Sequence, residues 1–219
     1  IYVTQAMRYT PPFAAKCVEQ IKQKGIKEVI LLPLYPQYST TTTKSSVEDF
    51  EAIAKEAFSI RVIDPFYKND TYNSAIIDEI CSKVDNPHEY NLIFSAHGLP
   101  QKIVNAGDPY EKQVNEHVEI LKNKLLDLNV QFQSVNLAYQ SKVGPLKWLE
   151  PSLESSLEQF ENKKVLIYPI AFIIDNSETH YELGIEYKEV AHDLKIKEYK
   201  VCSCVNDSEK FIKAIKELL

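Results

Sequence analysis

Three glutamates, Glu178, Glu182 and Glu186, recur at four-residue spacing behind an apolar run that ends at Ile174. Side chains four apart on a helix share one face and drift slowly around it. A helix widened by a π-turn reduces that drift and draws the acids into a row. Each like-charge pair costs about 0.2–0.5 kcal/mol on an exposed helix. The row therefore has two readings. It is either a set of acids that suits the dipole at a helix start, or a path along which cations or protons reach Glu178. Asp175 offers the N-cap and, with Glu178 three residues on, completes a capping-box pattern.

A histidine supplies the complementary chemistry. His97 follows the apolar strand 90–95, and Gly98 behind it frees the backbone to turn. Neutral imidazole accepts a proton near pH 7 or ligates a borderline divalent metal. With Glu178 facing it, the pair makes a two-ligand N/O site. That is too few for a closed structural zinc, and it suits a metal that is handed on. His88 and His117 lie among charged residues, which predicts solvated side chains, and His192 suits a helix C-terminus. Trp148, Tyr35 and Tyr38 read as core or cleft wall, with flat faces able to stack on a planar ligand. No P-loop, G-x-G-x-x-G, G-x-S-x-G or C-x-x-C occurs, so nucleotide cofactors and acyl transfer lack support.

The elements that must position these groups alternate. Strands are expected at 1–4, 28–34, 60–65, 90–95, 131–138, 165–174 and 196–201. Helices are expected at 11–24, 47–58, 70–84, 108–128, 152–160, from Asp175, and at 207–219, with polar loops at 35–46 and 139–148. Strand–helix alternation means parallel sheets flanked by helices. Two such runs meeting near 84–89 predict an α/β protein of two similar Rossmann-like domains, 1–84 and 85–205, with helix 206–219 packing back on the first. Ligands of open parallel sheets sit at the carboxyl ends of the strands. That rule places one site in the cleft between the domains, among Arg8, Tyr9, Tyr35, the 95–100 loop, the 139–148 loop and Asp175 to Glu178.

Composition narrows the partners. The 219 residues are 44% hydrophobic, enough for a real core, and the net charge of −6 without basic runs argues against nucleic acid. Four cysteines in a chain of this length do not make a disulfide framework, so a reducing cytoplasm is the default. No apolar run approaches the ~20 residues that span a bilayer, which leaves peripheral membrane contact open.

The motifs SAHGLP at 95–100, GDPY at 107–110, YQSKVGPLKWLEP at 139–151, PIAFIIDNSETHYELGIEY at 169–187 and LYPQYSTTTTKSS at 34–46 run in order over nearly the whole chain. Together they closely resemble the ferrochelatase family. The resemblance implies chelatase-type domains and insertion of Fe²⁺ into protoporphyrin IX to form protohaem. A coproporphyrin or cobalt chelatase is the neighbouring alternative, and a non-catalytic porphyrin- or metal-binding protein the alternative of another class. It implies His97 and Glu178 as catalytic and metal-binding residues, facing each other across a gap for the flat substrate. Asp175, Glu182 and Glu186 become the metal or proton path, and Arg8, Tyr9, Tyr35, Ser39, Gln140, Ser141 and Trp148 the porphyrin cleft. Iron is substrate, and no prosthetic group is expected. Thr40 stands where animal members carry a cluster-ligating cysteine, and Cys202 with Cys204 cannot alone supply the four ligands of an iron–sulfur cluster. Asn176 replaces a histidine that some members carry two residues before the glutamate. The chain opens on Ile1, and the family's earlier stretch, with its L-N-x-G-G-P-type motif, is expected to be missing, leaving this fragment inactive.

Overall fold

The computed structural model describes all 219 residues. Its larger unit is a four-stranded parallel sheet in the order β4-β3-β5-β6, built from β3 (Tyr90–His97), β4 (Ser134–Gln140), β5 (Lys164–Pro169) and β6 (Glu198–Val201). The apolar runs of β3 and β5 divide by parity, as period-2 side chains must. Leu92, Phe94, Ala96, Leu166 and Tyr168 enter one core, with residues of α3 (Asp70–Lys83), α5 (Tyr110–Asp127) and α8 (Glu209–Leu218). Ile93, Val165 and Ile167 enter another on the opposite face, against Leu153 and Leu157 of α6 (Leu153–Leu157) and Leu183. Both faces being covered is what makes continuous apolar strands stable in a parallel sheet.

The smaller unit pairs β1 (Glu28–Leu31) with β2 (Ser59–Val62) in parallel. Its core comes from α1 (Ala14–Gln23), which buries Ala14, Cys17, Val18 and Ile21 at helical spacing, and from Phe50 and Ala54 of α2 (Ser45–Ala54).

Several expectations are corrected. Residues 1–4 form no strand; Ile1 and Val3 are exposed and no ladder holds them. A strand needs a partner for its backbone and a face to bury, and this stretch has neither. The 35–46 loop contains a π-helical turn, Thr40–Lys44, that runs into α2. The last predicted strand before the acids stops at Pro169, whose missing N–H cannot extend the ladder. A short helix α4, Gln101–Asn105, lies inside what reads as loop. Apart from these corrections, α3 buries its Tyr72, Ile76 and Ile80 in the core of the four-stranded sheet. There α8 lies along it, joined by Lys210–Asp78 at 2.5 Å and by Thr71 Oγ1 donating to Glu217 at 2.9 Å. No helix is long and apolar enough to cross a membrane.

Candidate active site

The parallel register puts His97 opposite Gln140 at the carboxyl ends of β3 and β4. Gly98 continues this contact, its N–H donating to Gln140 O at 2.8 Å. A Cβ on Gly98 would lie 2.7 Å from that oxygen and 3.3 Å from Trp148 Cε3. Gly98 is thus required by close approach, and no left-handed turn is involved. The 139–151 loop is stitched onto the same strand end: Leu149 N–H donates to Leu99 O at 3.0 Å, and Gln101 N–H to Lys147 O at 2.8 Å. Trp148 is therefore fixed beside Gly98 by backbone, with its indole N–H donating to Val143 O at 3.1 Å.

Glu178 opens a nine-residue π-helix, Glu178–Glu186, which continues as α7 (Tyr187–Asp193). Tyr187 N–H returns to Glu182 O, five residues back, as the wider coil requires. Its start is held by Asn176. The Asn176 carboxamide oxygen accepts Glu178 N–H at 2.8 Å, while Asn176 N–H donates to Thr179 Oγ1 at 2.8 Å. The expected cap, Asp175, turns the other way, accepting Cys204 N–H at 3.0 Å and Asn206 Nδ2 at 2.9 Å. Burial pushes the Asp175 carboxyl up, but these bonds outweigh it and hold it below the usual range. Asp175 thus braces the loop after β6 and makes no hydrogen bond to the acid row.

The two principal groups meet directly. His97 Nδ1 and Glu178 Oε2 are 2.7 Å apart, with side chains 43% and 37% exposed. The expected gap between them is absent. A flat ligand can lie over the pair, on one wall, and cannot pass between them. The His97 bond holds the Glu178 carboxyl below its ordinary value despite partial burial, with Ser141 adding to the effect. An ionised Glu178 only accepts, so Nδ1 carries the hydrogen, and in the neutral ring Nε2 holds the lone pair. Around the imidazole, Tyr110 Oη donates to His97 O at 3.0 Å, and Phe172 stands edge-on with ring centroids 6.5 Å apart.

A polar chain joins the pair to the next acid. Ser141 Oγ lies 3.3 Å from Glu178 Oε2 and 2.6 Å from Glu182 Oε2. Gln140 Nε2 donates to Glu182 Oε2 at 3.1 Å, and the buried Gln140 Oε1 accepts Ser95 Oγ at 2.7 Å. Ser141 reaches both carboxylates from a left-handed conformation, φ +64°, a strain typical of functional positions. Glu186 is exposed farther along the coil and bonds to neither acid.

The cleft residues from the smaller unit divide. Arg8 Nε donates to Ser45 Oγ at 3.2 Å, its guanidinium pairs with Asp49 at 3.3 Å, and it covers the exposed Tyr9 ring at 5.1 Å. Tyr35 Oη meets Ser46 Oγ at 3.4 Å. Ser39, expected at the ligand, is 2% exposed, donates to Asp108 at 3.0 Å and caps the π-turn. His117 is wholly buried where solvent was expected, and burial pushes its pKa down to about 3. Its hydrogen-bond partners come from distant segments, Gln37 at 2.8 Å and Asn73 at 2.8 Å. Local sequence could not reveal that shelter. Asp108 and Tyr110 also had no assigned role; the GDPY run was the available signal.

The arrangement of parallel strands matches that of solved chelatases. SirB from Bacillus subtilis with Fe³⁺ superposes with a TM-score of 0.66 at 13% identity, covering 95% of this chain and 77% of that one. The sirohydrochlorin chelatase SirB from Bacillus subtilis subspecies spizizenii in complex with cobalt superposes at 0.67 with 11% identity, covering 97% of this chain and 76% of that one. The fold is therefore of the chelatase type. Within that class the ferrochelatase family model matches residues 1–219. The ferrochelatases of Sulfurimonas denitrificans and Wolinella succinogenes are each 50% identical over all of this chain and 71% of their own length. That of Helicobacter acinonychis is 46% identical over 66% of its length. The chain belongs to the ferrochelatase family, the metal-inserting lyases of haem biosynthesis.

Proposed function

We propose that this chain inserts ferrous iron into protoporphyrin IX, and that His97 and Glu178 carry the exchange of metal for protons. The carrying observation is the 2.7 Å pair at the carboxyl end of the sheet. Two pyrrole N–H protons must leave as one Fe²⁺ enters. With Nδ1 bound to Glu178, Nε2 of His97 is the lone pair that accepts a pyrrole proton or touches the incoming metal. Glu178 stays ionised and balances the imidazolium formed. Ser141 links Glu178 to Glu182, which gives protons or cations a hydrogen-bonded way along the coil toward the exposed Glu186. The cytoplasm is the proposed compartment, with contact at a membrane surface left to the exposed apolar residues.

His97→Ala tests the reading directly. It should abolish iron insertion while leaving the melting temperature and Soret-band titration with protoporphyrin near wild type. Near-normal turnover would remove His97 from the mechanism. Tetrapyrrole binding by the wild-type chain without any metal insertion would favour a binding protein over an enzyme.

A further inference from the structure

The loop at 37–40, which carries the smaller unit's side of the cleft, is held by α5 and the residues just before it. Asp108 Oδ2 accepts Ser39 Oγ at 3.0 Å, Thr40 N–H at 2.7 Å and Thr40 Oγ1 at 2.5 Å. Gln113 Oε1 accepts Tyr38 N–H at 2.7 Å. Gln37 Nε2 donates to His117 Nδ1 at 2.8 Å and to Ile170 O at 3.2 Å. Positions 108, 113 and 117 rise along the helix as 40, 38 and 37 descend along the loop. The same helix start also grips the reacting strand. Tyr110 N–H donates to Asp108 Oδ1 at 2.9 Å, and Tyr110 Oη donates to His97 O at 3.0 Å. Asp108 and Tyr110 therefore join the cleft wall to the backbone of His97 across two residues of chain.

We propose that Asp108 is a positioning residue for the tetrapyrrole: its carboxylate fixes the separation between the 35–40 wall and the His97 strand end, and so the cleft's fit to the macrocycle. This rests on the functional reading above. Every partner of Asp108 is a donor, and burial of the group is outweighed by their bonds, which keep it ionised. A carboxylate can accept on both oxygens. A carboxamide cannot, because either orientation sets its NH₂ against a backbone N–H, that of Thr40 or that of Tyr110. The bonds among His97, Glu178, Ser141, Glu182 and Gln140 do not pass through Asp108. Tetrapyrrole fit and metal affinity should therefore separate.

The test compares wild type, Asp108→Asn, Thr40→Val and their combination in the full chain. Protoporphyrin IX is titrated by fluorescence quenching, and Zn²⁺ alone by calorimetry. Asp108→Asn should weaken protoporphyrin binding about tenfold, in keeping with losing charge-assisted bonds, and leave Zn²⁺ affinity within about twofold. Thr40→Val should weaken protoporphyrin about threefold, and the double variant should fall short of the product because the two share a bond. A folded Asp108→Asn with wild-type protoporphyrin affinity, or with equal losses for both ligands, overturns the proposal alone. If Asp108→Asn does not fold, Thr40→Val decides, and wild-type protoporphyrin affinity there overturns it. A wild-type chain that takes Zn²⁺ but no tetrapyrrole overturns the functional reading and this proposal with it.

Discussion

Gly98→Ala is the sharpest probe of how the site is assembled. The added carbon would stand 2.7 Å from Gln140 O. Carbon and oxygen ordinarily approach to about 3.3 Å, so one backbone must yield by roughly 0.6 Å. The obstacle is main chain and cannot swing aside as a side-chain tip would; Trp148 closes the other direction at 3.3 Å. The end of β4 must retreat, taking Gln140 and Ser141 with it, and these are the residues that hold Glu182 and Glu178. Overpacking of this kind costs about 1–3 kcal/mol. At about 2–4 °C per kcal/mol for a chain of this size, the melting temperature should fall by roughly 2–12 °C. Displacements of such size at a reacting centre cost up to ~100-fold in rate. The expected result is a folded variant whose kcat for metal insertion, followed by loss of porphyrin fluorescence, drops about 10- to 100-fold. Wild-type melting and turnover in Gly98→Ala would refute the idea that this backbone contact sets the acids in place.

Other consequences can be checked alongside. Ser141→Ala and Ser141→Gly both delete the hydroxyl between Glu178 and Glu182 and should lose similar activity, about tenfold. Only glycine relieves the left-handed φ of +64°, worth about 1 kcal/mol, so the glycine variant should melt about 2–4 °C above the alanine one. Equal melting would dismiss the strain. His117 has its pKa pushed from the ordinary 6.5 to about 3 by burial. Below pH 6.5 the unfolded chain takes up a proton that the native imidazole refuses, so stability falls as pH drops toward 3, by at most ~1.4 kcal/mol per unit from this group. His117→Gln should flatten urea-derived stability between pH 6.5 and 5, where few carboxyls titrate, and an unchanged slope would argue against a buried neutral imidazole.

Much of this arrangement is readable from residue order, because strand ends are local facts. The apolar runs 90–95 and 165–174 locate the two strands, the second overshooting the observed end at Pro169 by five residues, and the rule for parallel sheets then places the chemistry. The four-residue recurrence of glutamates predicts a shared helix face, and a π-turn is the widening that brings the acids into a row despite their mutual repulsion. Asp175 misled because Asp and Asn are equally good caps on paper; the choice was made by Asn206 and Cys204, some thirty residues away in sequence. Ser39 misled for the same reason, since its partner Asp108 arrives from another element. His117 looked solvated because its neighbours in sequence are charged, yet one face of an amphipathic helix can be wholly buried. The contact between His97 and Glu178 also escaped prediction. Sequence places both at one end of a sheet, but the last few ångströms depend on how the coil after Asn176 is pitched.

That coil has one more implication. Each turn of the π-helix Glu178–Glu186 uses a fraction of a residue more than a standard turn, so the segment behaves as though it carries a small insertion. Deleting one residue within it, such as Ile185, would let the backbone relax to tighter rings without breaking the element. The chain would keep its shape while Glu186 left the file of acids, because every side chain downstream would move one place around the cylinder. The extra length is thus a spacer that sets where the carboxylates stand and adds nothing to the scaffold.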